Sequence, residues 1–158
     1  MQNTENIQQY LFGLLRKNTL SEAIGLFEFN ENLVSSFPGY AAYCYACWHQ
    51  FNKCNEIIEK EYNEKSEEPL EHYLFAQCFY AKREVEKAEQ TLNRALMLAN
   101  NYVDAIFLKS TCKLLNEEFS EGFKLYEARF GIFDSVLIPE VDIAIWQGQA
   151  IDNKVILV

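Results

Sequence analysis

The sequence predicts an all-α protein made of about four antiparallel helical hairpins, followed by a non-helical C-terminal tail. Three observations predict this class. The 158 residues include six glycines and three prolines, apolar residues recur at helical spacing along most of the chain, and one two-helix pattern returns further along the sequence. A chain of this length can bury the apolar core of one domain.

The first two hairpins are predicted upstream of residue 63. The first carries apolar residues at helical spacing in two segments: Ile7, Tyr10, Leu11 and Leu14, then Leu20, Ala23, Ile24 and Phe27. The second shows the same kind of pattern at Ala42, Tyr45, Ala46 and His49, then at Ile58 and Tyr62.

The third hairpin has the clearest pattern. Its first helix is marked by His72, Phe75, Ala76 and Phe79, and its second by Val85, Ala88, Leu92 and Ala95. Small residues at Ala76, Ala88 and Ala95 predict helix crossings where two backbones approach closely.

The fourth hairpin repeats the third in its second helix. Gly122 corresponds to Ala88, with Phe119 and Tyr126 at the matching places. We call the spacing from Ala88 to Gly122 the repeat interval. The first helix of this hairpin fits less well, because Lys109 and Lys113 stand where the pattern requires Leu and Tyr. The register of this helix is therefore left open.

The second hairpin is predicted to be spaced more closely than the others. Its Ala46 aligns with Ala76 of the third hairpin. The resulting spacing is shorter than the repeat interval.

These hairpins resemble the tetratricopeptide repeat, whose period is about 34 residues. The resemblance covers residues 1–130 and implies a right-handed superhelix that binds a protein or peptide in a concave groove. Transferring the groove positions of the family onto this chain gives a set dominated by aromatic residues: Phe12, Tyr40, Tyr43, Gln50, Phe51, Tyr73, Gln77, Tyr80 and Phe107.

The segment 131–158 differs from the rest and contains Pro139. Together with Glu121, Gly122 and Arg129, its Trp146, Gly148 and Lys154 resemble the junction between such repeats and a heptosyltransferase-like glycosyltransferase domain in some bacterial proteins. The resemblance implies that residues 155–158 are the first strand of an α/β domain that this sequence lacks. The alternative is a tail that packs on the last hairpin.

Charge and composition restrict the partners. The formal net charge is −9 and the pI is about 4.7, which disfavours nucleic acid and anionic membranes. We expect a basic or neutral peptide with apolar anchors. The polar N-terminus and the odd number of cysteines predict a cytoplasmic protein.

No catalytic constellation, cofactor motif or metal site is predicted. Cys44, Cys47, His49 and Cys54 raise the question of zinc, but their apolar helical setting favours buried thiols. The leading function is therefore a non-catalytic binding module. The alternatives are the non-catalytic N-terminal region of a glycosyltransferase-like protein, and a small acidic tetratricopeptide chaperone of a bacterial secretion system.

Overall fold

The computed structural model describes residues 2–16 and 19–132, and every regular element in these ranges is an α-helix. The all-α class is thereby confirmed for this part of the chain. The predicted strand at 155–158 and the rest of the segment from residue 133 onwards lie outside the described residues. Gly131 and Ile132, which we assigned to the tail, belong to the last described helix.

The described ranges contain ten helices. They are α1 (Gln2–Arg16), α2 (Leu20–Phe29), α3 (Glu31–Ser36), α4 (Pro38–Cys47), α5 (Phe51–Glu61), α6 (Pro69–Ala81), α7 (Val85–Leu98), α8 (Val103–Leu115), α9 (Phe119–Tyr126) and α10 (Arg129–Ile132).

Successive helices pair into hairpins. Contacts join α1 with α2, α4 with α5, α6 with α7, and α8 with α9, and each of these pairs is joined by a short connection. Two contacting helices with so short a connection must run antiparallel. Helix α6 also contacts both α4 and α8, and α10 packs on α8. The first helices of the last three hairpins therefore lie side by side.

The last three hairpins turn in the same way. His49, Arg83 and Glu117 adopt φ angles of 58°, 64° and 61°, and they follow one another at the repeat interval. In each turn, the N–H of the next residue donates to the carbonyl five positions back at 2.9 Å. This is the Schellman motif that closes a helix C-terminus. The backbone itself thus follows the repeat interval.

Small buried residues follow the same period. They are Ala42, Ala76 and Ser110 in the first helices, and Cys54, Ala88 and Gly122 in the second helices. A Cβ atom added to Gly122 would lie 2.7 Å from Cδ2 of Leu114. The backbone of α9 at Gly122 therefore lies directly against the Leu114 side chain of α8. Each of the last three hairpins depends on such a close approach.

The structure corrects the spacing of the second hairpin. Its turn residue His49 precedes Arg83 by one full repeat interval, so Ala42, and not Ala46, corresponds to Ala76. The predicted alignment was displaced by about one helical turn, which rotates a helix face by only about 40°. The two alternatives therefore present nearly the same apolar pattern in the sequence.

The structure also fixes the register of the fourth hairpin. Lys113 occupies the place that the rings of Tyr45 and Phe79 take in the two preceding hairpins. Its ammonium group lies 2.6 Å from the Glu89 carboxylate and 2.9 Å from that of Glu118. The side chain is 12% exposed. Ion pairs to α7 and to the α8–α9 turn thus replace an aromatic contact.

We expect Ala88→Leu to lower the free energy of unfolding by about 1–3 kcal/mol, because a larger side chain would force apart two helices that are in close contact. Urea denaturation measures the change. Ala81→Leu is the control, since Ala81 is an exposed residue at the end of α6. Equal midpoints for the Ala88→Leu variant and the unchanged protein would contradict the role assigned to Ala88.

We expect Arg83→Gly to raise the free energy of unfolding by about 0.5–1 kcal/mol, because glycine adopts a φ of 64° without the steric cost of a Cβ atom. Gln90→Gly, at an exposed position inside α7, should instead lower it by about 0.5–1 kcal/mol. Urea midpoints measure both effects. A lower free energy of unfolding in Arg83→Gly would contradict this expectation. It would show that the contacts of the arginine side chain stabilise the fold by more than its positive φ angle costs.

Candidate binding site

The first helices of the hairpins enclose a cavity of about 440 Å³. Its walls come from α1 (Phe12, Leu15), α4 (Tyr40, Tyr43), α6 (Leu70, Tyr73, Leu74, Gln77), the start of α8 (Tyr102, Asp104) and α10 (Gly131, Ile132). Among the described residues that line it, none belongs to the second helices α2, α5, α7 or α9. One face of the helix array therefore carries the cavity.

Five of the nine predicted groove residues line this cavity: Phe12, Tyr40, Tyr43, Tyr73 and Gln77. Tyr40 is 5% exposed and is also part of the apolar core. Its ring therefore supports the wall of the cavity and offers little surface to a ligand. Tyr43 and Tyr73 are half-buried and pack against the same core.

The other four predicted residues lie elsewhere. Gln50 precedes α5, and its N–H closes the turn on Tyr45. Phe51 begins α5, with its ring 5.7 Å from that of His49. Tyr80 is half-buried against the core, and the Phe107 ring lies 5.3 Å from that of Tyr126.

The register error explains two of these placements. At the repeat interval, the positions equivalent to Tyr80 and Ala81 are Ala46 and Cys47. Gln50 and Phe51 therefore lie one helical turn further along the chain, in the connection after α4 and at the start of α5.

Tyr102 is the main residue that sequence reasoning missed. It immediately precedes α8, and its ring lies 5.2 Å from that of Tyr73 at an interplanar angle of 53°. The equivalent position in the preceding hairpin is Glu68, so no repeated pattern marks this aromatic residue. Tertiary packing alone brings it into the cavity wall.

The polar groups of the cavity interact with one another. The side-chain amide of Gln77 donates a hydrogen bond of 2.6 Å to the Tyr73 hydroxyl. Burial raises the pKa of Tyr73 to about 12, and the negative charge of Asp104 adds to this rise. Burial likewise raises the pKa of Tyr43 and of Tyr102. These hydroxyls therefore remain protonated and can donate hydrogen bonds at neutral pH.

An adjoining cavity of about 310 Å³ extends the same face. It shares Tyr40, Leu70 and Leu74 with the larger one. Glu68 and Glu71 are its charged lining residues, and the Glu71 carboxylate accepts a hydrogen bond from the Ser66 hydroxyl. The two cavities together form a trough, which we call the concave trough, along α1, α4 and α6.

Three cysteines occupy equivalent buried positions in the last three hairpins. Cys44, Cys78 and Cys112 recur at the repeat interval, and all three are buried. Burial raises the pKa of Cys44 to about 12 and that of Cys112 to about 11. No group of three or more His, Cys, Asp and Glu within residues 2–16 and 19–132 is arranged to hold a metal ion.

Comparison with protein-family models, curated proteins and solved structures finds no significant match to this chain. None of the helices in the described ranges combines the length and apolar character that crossing a membrane requires.

We expect the free energy of unfolding to fall as the pH rises from 9 towards 12. The ordinary pKa of a thiol is 9.0, whereas Cys44 and Cys112 titrate near 12 and 11 in the folded chain. Their stabilising contribution is complete below pH 9 and is lost as the pH rises through the folded values. Urea midpoints at a series of pH values measure the slope.

The variant Cys44→Ala should lose stability less steeply over this interval, because one titrating group is gone. Ser110→Ala is the control: it changes a buried side chain that does not ionise, so its slope should match that of the unchanged protein. If the free energy of unfolding of Cys44→Ala fell with pH as steeply as that of the unchanged protein, the contribution assigned to the Cys44 thiol would be contradicted.

Proposed function

We propose that this chain is a non-catalytic protein-binding module, in which a tetratricopeptide-like domain spanning residues 1–130 holds a peptide segment of a partner. The proposed architecture is a right-handed superhelix of about four hairpins. The odd number of cysteines supports the cytoplasm as its compartment.

The repeated turns support the tetratricopeptide-like architecture. Backbone bonds at the three equivalent turns and small residues at the helix crossings both recur at the repeat interval, which equals the period of that family. Helices α4, α6 and α8 pack side by side. In a repeat array this arrangement leaves one face of the first helices free to form a groove.

The observation that carries the binding function is the cavity built from first helices. Its volume of about 440 Å³ lies within the range of known ligand sites. Four tyrosines, Tyr40, Tyr43, Tyr73 and Tyr102, contribute to its wall. Rings with polar tips are frequent anchors at protein interfaces, because they combine a large contact area with few rotatable bonds.

The proposed partner is a basic or neutral peptide with apolar anchors. Leu15, Leu70 and Leu74 provide apolar contacts along the trough, and the net charge of −9 disfavours nucleic acid, anionic membranes and acidic peptides during approach. The polar lining groups of the larger cavity are phenols, one amide and one carboxylate. This set suits recognition and supports a module without catalysis of its own.

Selection from a random peptide library tests the proposal, with the immobilised full chain as bait. Fluorescence anisotropy then gives the Kd of the best peptide. We expect Tyr43→Leu and Tyr73→Leu to weaken binding by about 2 kcal/mol, or roughly thirtyfold, if these rings are interface anchors. Leucine keeps an apolar side chain at each half-buried position.

Phe123→Leu is the matched control, because Phe123 is 60% exposed on α9, away from the trough. Its Kd should remain that of the unchanged chain. Thermal melts of all three variants separate binding from stability. Peptide binding that persists within twofold in both tyrosine variants would refute the trough as the interface.

A further inference from the structure

We infer that the larger cavity receives one basic side chain of the bound peptide, a lysine or an arginine, and that Asp104 selects it. This inference rests on the proposed peptide-binding function and adds the chemistry of the recognised group. Three features of the trough support it: its charges, its rings and the apolar walls beneath them.

The charged residues that line the trough are acidic. Asp104 lines the larger cavity, and Glu68 and Glu71 line the adjoining one, whereas no Lys, Arg or His among the described residues lines either. Within residues 2–16 and 19–132, the ion pairs involve other carboxylates and leave Asp104 without a cationic partner. A cation brought by a ligand would supply the opposite charge that this half-buried carboxylate lacks.

The rings beside Asp104 also favour a cation. Tyr73 and Tyr102 lie with their centroids 5.2 Å apart, and Tyr40 and Tyr43 line the same cavity. The negative faces of aromatic rings attract ammonium and guanidinium groups, most strongly where water is excluded. Burial is the main cause that raises the pKa of Tyr73 and of Tyr102, and the negative charge of Asp104 adds to both rises. The carboxylate of Asp104 is therefore close enough to act on both phenol groups.

The remaining walls suit the stem of such a side chain. Leu15, Leu70, Leu74 and Ile132 line the same cavity as Asp104. Lysine and arginine carry a chain of methylene groups that packs on apolar surface while the charged end meets polar groups. A neutral apolar anchor would contact the apolar walls but leave the Asp104 carboxylate unpaired. An acidic anchor would be repelled by it.

The charge of the chain argues against a second copy as the occupant. Each copy carries 23 acidic and 14 basic residues, so two copies repel each other during approach. A partner with a basic segment is attracted by the same charge. We therefore assign the cavity to a basic side chain of a different protein.

The test repeats the peptide selection in parallel on the unchanged full chain, on Asp104→Asn and on Asp104→Glu. We expect the unchanged chain and Asp104→Glu to enrich Lys or Arg at one fixed position between apolar residues. Asp104→Asn should still enrich the apolar residues but lose the basic one. Thermal melts confirm that each variant is folded before selection, and Asp104→Ser replaces Asp104→Asn if the latter does not fold.

The best peptide is then compared with a copy in which norleucine replaces its selected basic residue, which removes the charge and keeps an alkyl stem. Isothermal titration should show a loss of roughly tenfold in affinity on the unchanged chain. On Asp104→Asn the two peptides should bind within about threefold of each other.

The outcomes of this test distinguish the inference about a basic side chain from the proposed peptide-binding function on which it rests. Selection of apolar peptides without a basic residue, or the same basic preference on Asp104→Asn, overturns the inference and leaves peptide binding intact. Enrichment of acidic, apolar peptides that match residues 133–146 would assign the cavity to this chain or to a second copy, and would overturn it as well. Failure of all three proteins to select any peptide would overturn both proposals.

Discussion

The fold depends on close contact between the two helices of each of the last three hairpins. At Gly122 even one added carbon would lie within 2.7 Å of the Leu114 side chain, and the equivalent Ala88 and Cys54 are completely buried. A small residue at this position lets the second helix lie flat against the first. The opposite side of each first helix is then left without a partner in its own hairpin. The concave trough is formed from these unpartnered sides.

The sequence was sufficient for the features that follow from small and apolar side chains. The third hairpin shows this, because Phe75, Ala76, Ala88 and Leu92 are all buried as their spacing predicts. Such residues have one low-energy location, the interior, and their period is visible without coordinates. The polar set Tyr73 and Gln77 needed the family resemblance before it could be assigned to a face.

Three features could not be predicted, each for a physical reason. The second hairpin was displaced by one helical turn, because apolar positions one turn apart cover nearly the same face, and this error placed Gln50 and Phe51 in the wrong element. In α8, Lys113 takes the place of a ring and is stabilised by Glu89 of the preceding hairpin. A contact between charges distant in sequence leaves no periodic signal, and the same holds for Tyr102 beside Tyr73.

The order of helix contacts has a consequence for how the chain gains and loses structure. The substantial contacts of α6 and α7 are with each other, with α4 on one side and with α8 on the other. Each hairpin is therefore stabilised mainly by its immediate neighbours. Chains of this kind behave as a one-dimensional series of coupled units, and their contacts are local in sequence, which favours rapid folding. We expect the α6–α7 hairpin, which has neighbours on both sides, to belong to the folding nucleus. We expect opening to begin at the outer hairpins, so that the walls that α1 and α10 contribute to the trough separate before the core of the array does.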